Sequence, residues 1–265
     1  MKLNFTKMHG LGNDFVMIEN MDGKIKLSPE EVVFLCDRHK GIGADGVILL
    51  EKTEQADCFM NYYNSDGSFA EMCGNGVRCT VKFFLEKISP EKNKKVLKIG
   101  TRAGIKEIIL EDDGTFSVNM GKPVFLHSDF PKKNLELEGL PLNFVSVGNP
   151  HAVSFVNKIA DCDLETLGPK IENDPHFPNK INVELVEKIN SSHFKVAVWE
   201  RGCGRTLACG TGACAVFAVL NKNNLAGGTV KIELPGGILF ISKNDGGEII
   251  MCGSAEVSFE GEVKL

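Results

Sequence analysis

Three stretches of the chain carry a helical pattern of apolar residues. The first follows Cys73 and repeats on one side of a helix, which predicts an amphipathic helix. Its apolar positions are Val77, Val81, Phe84, Leu85 and Ile88. The second, ACAVFAVL at 213–220, is apolar nearly all round and predicts a helix enclosed by sheet. The third, SPEEVVFLCDRH, predicts a helix capped by Ser28, with Pro29 and Glu30 in its first turn.

Two other stretches read as strands joined by turns. Residues 96–121 carry the hairpin signal EDDGT, and residues 228–265 carry turn signals at PGG and NDGG. Each strand-rich stretch follows one of the first two predicted helices. Each half of the chain is therefore predicted to be several strands curled around one central helix.

The two halves also share motifs at one fixed spacing. Two Cys-Gly-x-Gly runs begin at Cys73 and Cys209, which lie 136 residues apart. GND at 12–14 and GNP at 148–150 have the same offset, as do DGVILLE at 45–51 and INVELVE at 181–187. Several matches in one register indicate a duplicated unit, and the period is far too long for a solenoid. We expect two domains related by a pseudo-twofold axis, with one cysteine from each reaching a site between them.

Composition narrows the class of protein. The 265 residues are 43% hydrophobic and 25% charged, with a net charge of −5 and no basic block. This profile argues against nucleic acid and membrane partners.

The start of the chain lacks the apolar core of a signal peptide, so we expect a cytoplasmic protein. Nine cysteines without a CxxC pair are expected to be reduced thiols rather than a zinc site, and most of them buried.

The paired cysteines suggest a chemistry. A thiol at a helix N-terminus lies near unpaired N–H groups, which favour thiolate and also hold a carboxylate. Two such sulfurs facing each other suit two-base catalysis, in which one removes a proton from a carbon acid and the other returns a proton to the opposite face. No lysine lies in a recognisable pyridoxal-phosphate context, so we expect no cofactor. Cys79, Cys203 and Cys214 have no partner at this offset and are interpreted as structural.

Six motifs together resemble the diaminopimelate epimerase family. In chain order they are MHGLGNDF, YNSDGS, MCGNGVRC, VGNPH, ERGCGRTLACGTGACA and ELPGG. The resemblance implies interconversion of LL- and meso-diaminopimelate, on the route to lysine and peptidoglycan, usually by a homodimer. It also implies an α+β fold of two pseudo-symmetric domains, each a mixed, mostly antiparallel sheet rolled into a barrel around a central helix. The domains are then residues 1–118, completed by a C-terminal strand at 253–265, and residues 119–252, with the active site in the cleft between them.

The resemblance also implies residue roles. Cys73 and Cys209 match the catalytic thiols, and His151 and Glu200 match positions that support them. The positions matched to substrate binding are Asn13, Asn64, Gly74, Asn75, Asn149, Asn182, Glu200, Arg201, Gly210 and Thr211. Of these, Arg201 matches the position that grips the distal carboxylate, a task suited to a guanidinium fork. Each asparagine also fits a plain turn residue. No metal ligand is implied.

Three positions depart from the family pattern, and two alternative functions stay open. Gly46 replaces an amide side chain of some members, Arg205 stands where Glu is common, and Phe259 replaces a tyrosine that helps form the dimer. One alternative is a proline or hydroxyproline racemase, although those carry His where this chain has Asn75. The other is a thiol redox or metal-binding protein, which the lack of CxxC disfavours.

Overall fold

The structure is a computed structural model that describes residues 1–89, 94–128, 130–131 and 135–265. The chain divides into two compact units. The first comprises Met1–Val118 with Gly253–Leu265, and the second comprises Asn119–Cys252.

The described residues form four α-helices and two short helical turns. The α-helices are α1 Pro29–Cys36, α2 Gly74–Phe83, α3 Leu164–Glu172 and α4 Gly210–Lys222. A π-helical turn at Phe84–Ile88 extends α2, and a 3-10 turn lies at Ile159–Asp161. Across the described ranges, no helix combines the length and the apolar character that a membrane crossing needs.

The first unit is built on one mixed sheet. Its strands are β1 Lys2–Gly10, β2 Asn13–Asn20, β3 Gly46–Glu51, β4 Cys58–Asn64, β5 Val96–Thr101, β6 Gly104–Leu110, β7 Phe116–Gly121 and β17 Glu256–Lys264. The pairs β2–β3 and β4–β5 are parallel. The pairs β17–β1, β1–β2, β3–β4, β5–β6 and β6–β7 are antiparallel.

The second unit repeats this order. Its strands are β8 Leu135–Leu137, β9 Leu140–Ser146, β10 Pro150–Val156, β11 Asn182–Lys188, β12 His193–Glu200, β13 Gly204–Thr206, β14 Val230–Leu234, β15 Gly237–Lys243 and β16 Ile249–Gly253. The pairs β10–β11 and β12–β14 are parallel. The other pairs of this sheet, including β9–β10, β11–β12, β14–β15 and β15–β16, are antiparallel.

The duplication extends to the register of the strands. Phe15 pairs with Gly46 in the first unit, and His151 pairs with Asn182 in the second, each residue 136 positions further along. The predicted pair of similar domains, each a mixed and mostly antiparallel sheet around a helix, is thus confirmed.

The central helices are more enclosed than the pattern of α2 indicated. Helix α4 is buried along nearly its whole length against β9, β10, β11 and β15, as predicted. Helix α2 packs against β1, β2, β3 and β5 and is buried except at Lys82. Glu86 and Lys87 of the π-helical turn are exposed, so the predicted one-sided pattern holds at the C-terminal end but not in the first turns. The misleading residue is Arg78, which is fully buried. Its guanidinium donates to the Ser254 carbonyl at 3.0 Å and to Asn75 Oδ1 at 2.8 Å, so its charge is solvated internally.

Each sheet packs a second helix on its other face. Helix α1 covers an apolar cluster that includes Val16, Val32 and Leu49, and α3 covers the corresponding clusters of the second unit. Ser28 caps α1 as predicted, because its side chain accepts from the Glu31 N–H while the Glu31 carboxylate accepts from the Ser28 N–H.

Candidate active site

Both predicted catalytic cysteines are N-cap residues. Cys73 immediately precedes α2, and Cys209 immediately precedes α4. The first N–H groups of each helix have no partner within the helix, so they present partial positive charge around the sulfur. The prediction that each Cys-Gly-x-Gly run starts a helix is confirmed.

In the first unit, an amide side chain links the Cys73 thiol to the helix start. Asn13 Oδ1 lies 3.5 Å from Cys73 Sγ and accepts from Asn75 Nδ2 at 3.1 Å. Asn13 Nδ2 donates to Asp45 Oδ2 at 2.7 Å. Because a carboxylate only accepts, Asp45 fixes which end of the Asn13 amide faces the thiol. Cys73, Gly74, Asn13 and Asn75 therefore lie together.

Asp45 belongs to an ionic network beneath this amide. Arg38 donates to both Asp14 and Asp45, each at 2.8 Å, and Lys7 pairs with Asp14 at 2.7 Å. Lys7 also donates to the Gly43 carbonyl. Burial acts to raise the pKa of Asp14, but hydrogen bonds from Arg38 and Lys7 outweigh it and hold that pKa at about 2. A fixed negative charge thus anchors the loops that carry Asn13 and Asp45.

Two other first-unit positions lie on β4 and β3. Asn64 ends β4, and its side chain donates to Ser68 Oγ at 3.0 Å within a turn. Gly46 has no room for a side chain, because an added Cβ would lie 2.4 Å from the Tyr63 carbonyl oxygen. The amide carried by some family members at this position does not fit here without a shift of β4.

In the second unit, Cys209 is enclosed and 5% exposed. Its Sγ accepts from the Gly212 N–H at 3.3 Å and lies 3.4 Å from Thr211 Oγ1. Burial raises the pKa of the Cys209 thiol well above its usual value, and the carboxylates of Glu200 and Glu184 raise it further. The expectation that the helix start would favour thiolate is wrong for Cys209, because burial and two carboxylates outweigh the helix N-terminus. Cys209 is therefore a thiol at neutral pH.

Glu200 lies directly beside this thiol. Its Oε1 accepts from Thr206 Oγ1 at 2.6 Å, and its carboxylate also accepts from Cys209. Burial raises the pKa of Glu200, while the Thr206 hydrogen bond and the charge of His151 act against that rise.

A buried chain of polar groups runs behind Cys209. His151 Nδ1 lies 2.6 Å from Glu184 Oε1, and His151 Nε2 lies 2.9 Å from Asn149 Oδ1. The side chains of His151 and Glu184 are both 0% exposed. Glu184 also backs the start of α4, since a Cβ at Gly212 would lie 2.8 Å from its Oε1. His151 and Asn149 are thus joined to the Cys209 region through Glu184.

Asn182 and Arg201 occupy a neighbouring loop. The Asn182 amide is used at both ends, donating to the Pro150 carbonyl at 2.7 Å and accepting from the Arg201 N–H at 2.9 Å. It therefore supports the backbone that carries Arg201. The exposed Arg201 guanidinium donates to the Asn179 carbonyl at 3.1 Å. Glu172, which is buried, accepts from the Gly202 N–H at 2.9 Å and holds the same loop.

Sequence reasoning did not assign Asp45, Glu184 or Glu172 to the site. One signal was present: INVELVE carries Glu184 in the middle of an apolar strand, at the position where DGVILLE carries Ile48. A carboxylate at such a position needs a buried partner. Asp45 and Glu172 gave no comparable signal, because each follows a turn or a helical pattern that tolerates acidic residues.

The two clusters define the available chemistry. Each places a thiol at a helix start with amide groups or backbone N–H donors around it, which suits proton transfer at a carbon beside a carboxylate. Within the described residues, no group of three or more His, Cys, Asp or Glu side chains is arranged to hold a metal ion.

The fold is shared with solved structures of other proteins. A PhzF-family phenazine biosynthesis protein from Bacillus anthracis aligns with a TM-score of 0.74 at 20% identity, covering 100% of both chains. A hydroxyproline epimerase from Agrobacterium vitis aligns with a TM-score of 0.70 at 15% identity, covering 99% of this chain and 91% of its own. At such identities the likeness establishes the fold alone.

The sequence comparisons establish the family. The profile of diaminopimelate epimerase matches residues 5–126 and 143–258. Diaminopimelate epimerases from Carboxydothermus hydrogenoformans and Trichodesmium erythraeum are 44% and 45% identical to this chain. The alignments cover 99% of this chain and 100% of the first relative, and 98% of this chain and 99% of the second. The chain belongs to the diaminopimelate epimerase family.

Proposed function

We propose that this protein interconverts LL- and meso-2,6-diaminopimelate without a cofactor, using Cys73 and Cys209 as the two acid–base groups. The observation that carries the proposal is the equivalent placement of the two thiols, each capping the central helix of one copy of a duplicated unit. Membership of the family supports the substrate. As an epimerase, the protein is an isomerase acting in lysine and peptidoglycan precursor synthesis.

The reaction needs one base and one acid on opposite faces of the α-carbon. One sulfur, as thiolate, takes the α-proton, and the C–H electron pair passes into the adjacent carboxylate. The other sulfur, as thiol, gives its proton to the opposite face, so the sulfurs exchange protonation states and the configuration inverts. N–H groups at the starts of α2 and α4 stabilise the negative charge that develops on the carboxylate. Because burial raises the pKa of the Cys209 thiol, we assign Cys209 as the initial acid and Cys73 as the base for the LL isomer, and the reverse reaction exchanges these roles.

Four of the other predicted residues, Asn13, Asn75, Asn149 and Arg201, orient the substrate. Asn13 and Asn75 place amide groups at the Cys73 end of α2, and Asn149 places its amide beside His151. Arg201 offers a charged fork to the distal carboxylate, a group that proline and hydroxyproline lack. We expect turnover of diaminopimelate and none of proline or hydroxyproline.

The test is substitution of each thiol with a matched control. Cys73→Ala and Cys209→Ala should each abolish interconversion while preserving the circular dichroism spectrum, since neither sulfur can serve as both acid and base. Cys79→Ala and Cys214→Ala remove buried thiols from the same two helices and should keep most of the activity. Near-normal turnover by either of the first two variants would eliminate the two-thiol mechanism.

The proposal extends to assembly and location. Strand β17 exposes Phe259, 50% accessible, and Val257, 37% accessible, and Phe259 stacks edge-on against Phe5. These apolar groups support a homodimer formed through this strand, despite the absence of the family's tyrosine. Light scattering should give a lower mass for Phe259→Asp than for the native chain, and an unchanged mass would remove β17 from the interface.

A cytoplasmic location suits nine reduced thiols.

A further inference from the structure

Arg201 lies in a tight turn between β12 and β13. The Cys203 N–H donates to the Glu200 carbonyl at 3.0 Å, which closes the turn over residues 200–203. Gly202, its third residue, has a φ of 78°, and Arg201, its second, does not have a positive φ. This combination defines a type II turn. The conformation of the turn therefore sets the direction in which the Arg201 side chain leaves the backbone.

Side chains from two other elements hold the backbone of this turn. Asn182, the first residue of β11, accepts from the Arg201 N–H through Oδ1 at 2.9 Å. Its Nδ2 donates to the Pro150 carbonyl at 2.7 Å, so backbone groups fix the amide at both ends. Glu172, the last residue of α3, accepts from the Gly202 N–H through Oε1 at 2.9 Å. Two consecutive peptide N–H groups thus have side-chain acceptors.

The Glu172 carboxylate is itself held in place. It is 5% exposed, and its Oε2 accepts from Trp199 Nε1 at 2.8 Å. The Trp199 ring lies against α3, since a Cβ added at Gly168 would lie 2.4 Å from Trp199 Cγ. Burial acts to raise the pKa of Glu172, but hydrogen bonds from Trp199 and Gly202 and the charge of Lys180 outweigh it and lower that pKa. Glu172 is therefore an ionised acceptor at neutral pH.

The turn at 64–67 is the counterpart of this turn in the first copy of the duplicated unit. The Gly67 N–H donates to the Asn64 carbonyl at 3.0 Å, each residue 136 positions before its equivalent. Neither of the two middle residues, Ser65 and Asp66, has a positive φ, as in a type I turn. The turn therefore takes a different form where Ser65 stands in place of Arg201.

The two acceptors are also particular to the second copy. Glu172 ends α3 as Cys36 ends α1, and Asn182 begins β11 as Gly46 begins β3, each 136 residues apart. Burial raises the pKa of the Cys36 thiol to about 12, so this side chain stays uncharged, and Gly46 has no side chain. A carboxylate and an amide oxygen thus hold the turn in the copy that carries Arg201.

The geometry points to Glu172 as a positioning residue that holds the 200–203 turn in its type II form, so that the Arg201 guanidinium is placed in advance for the distal carboxylate of diaminopimelate. The inference rests on the proposed function in so far as Arg201 binds that carboxylate. With Ala at 172, the Gly202 N–H loses its acceptor and the turn is free to take the form seen at 64–67. Because ordering a side chain on binding costs free energy, the loss should appear in substrate binding rather than in proton transfer at the thiols.

The first experiment measures the turn directly and does not depend on turnover. Amide hydrogen exchange of protein labelled with nitrogen-15 is followed by NMR, residue by residue. In Glu172→Ala, the Gly202 N–H should exchange at least about tenfold faster than in the native chain, because its hydrogen bond is lost. Unchanged exchange of Gly202 in this variant would overturn the inference.

The matched control for exchange is Lys170→Gln. It breaks an exposed ion pair of the same helix, Lys170–Glu138 at 2.7 Å, and should leave the exchange of Gly202 unchanged. If Glu172→Ala does not fold, the double variant Glu172→Met/Trp199→Phe removes the carboxylate together with the buried indole N–H that it would leave unpaired. This variant should fold and show the same fast exchange at Gly202, and native exchange there would equally overturn the inference.

The second experiment measures the consequence for substrate. Glu172→Ala should raise the KM for diaminopimelate on the order of tenfold with a smaller change in kcat, while Lys170→Gln keeps the native KM. The same substitution is then made in Arg201→Ala. Because Glu172 acts through Arg201, the double variant should have nearly the KM of Arg201→Ala alone. Effects on KM that multiply would show that Glu172 acts elsewhere and would refute the positioning role.

The failure of this inference and the failure of the proposed function are distinguishable. If the native protein does not turn over diaminopimelate, the proposed function fails, while hydrogen exchange still decides whether Glu172 holds the turn. If exchange at Gly202 responds to Glu172→Ala but the KM does not, the proposed function stands and the positioning role is refuted.

Discussion

The start of each central helix contains a glycine whose replacement tests the architecture of the site. Gly212 is the third residue of α4, and an added Cβ would lie 2.8 Å from Glu184 Oε1 and 3.3 Å from Cys209 Sγ. Gly76 is its counterpart in α2, where an added Cβ would lie 3.0 Å from Ile48 Cδ1. Both contacts are tighter than normal, but the neighbours differ in their freedom to move.

Two opposing effects set the expected change in the free energy of unfolding when either glycine is replaced by alanine. Alanine in a helix is favoured over glycine by roughly 0.5–1 kcal/mol, and overpacking a core position costs about 1–3 kcal/mol. At Gly76 the neighbour is the end of a flexible side chain that can rotate away, so Gly76→Ala should change the free energy of unfolding by less than about 1 kcal/mol. At Gly212 the neighbour is a carboxylate bound to His151, so Gly212→Ala should be destabilised by about 1–2 kcal/mol.

The assay is urea unfolding of both variants beside the native chain, followed by the steady-state rate of each. Gly212→Ala should also lose most of its activity, because the added methyl group displaces Glu184 from His151 and crowds the thiol. Equal stability of the two variants, with Gly212→Ala fully active, would refute the placement of Glu184 behind Cys209.

Three further perturbations test separate parts of the account. Iodoacetamide should label Cys209 slowly at neutral pH, with a rate that still rises above pH 9, because burial raises the pKa of this thiol; a rate that levels off near pH 7 would contradict the assignment of Cys209 as the initial acid. Asp14→Asn should lower the free energy of unfolding at pH 7 by about 2 kcal/mol, at roughly 1.36 kcal/mol for each pKa unit. In the native chain, the stabilising contribution of the Asp14 carboxylate is fully present above the unfolded pKa near 3.8 and is lost as the pH falls through about 2. If the free energies of unfolding of the native chain and Asp14→Asn change in parallel over this pH range, the contribution is disproved. Arg201→Lys should raise the KM for diaminopimelate by a factor equivalent to about 1–3 kcal/mol while kcat changes little, and an unchanged KM would remove Arg201 from the distal carboxylate.

The sequence predicted the features that arise from periodicity and duplication. The constant offset of 136 residues indicated two similar units, and the structure repeats even the strand register, as in Phe15–Gly46 and His151–Asn182. The helix starts at Cys73 and Cys209 followed from the glycine-rich runs. Patterns of this kind are local or repeated, so one chain is enough to reveal them.

The sequence did not predict features that depend on which distant groups meet. Arg78 gave α2 a polar face, but an internal carbonyl and an amide satisfy its guanidinium. The pKa of Cys209 could not be inferred from its helix start, because it is raised by burial and by the carboxylates of Glu200 and Glu184, which lie on β12 and β11. The partner of the Asn13 amide likewise could not be inferred, because Asp45 lies 32 residues away in the chain.

The most direct test of the two-thiol mechanism is the isotopic composition of product and substrate early in the reaction. LL-diaminopimelate is incubated with the protein in deuterium oxide, and both isomers are analysed by mass spectrometry at low conversion. Because Cys209 exchanges its proton with solvent before giving it to the α-carbon, the meso product should carry one deuterium at that carbon, while the remaining LL substrate stays unlabelled. Meso product that retains the original proton, or early deuterium in the LL substrate at the same rate, would show that a single base serves both faces.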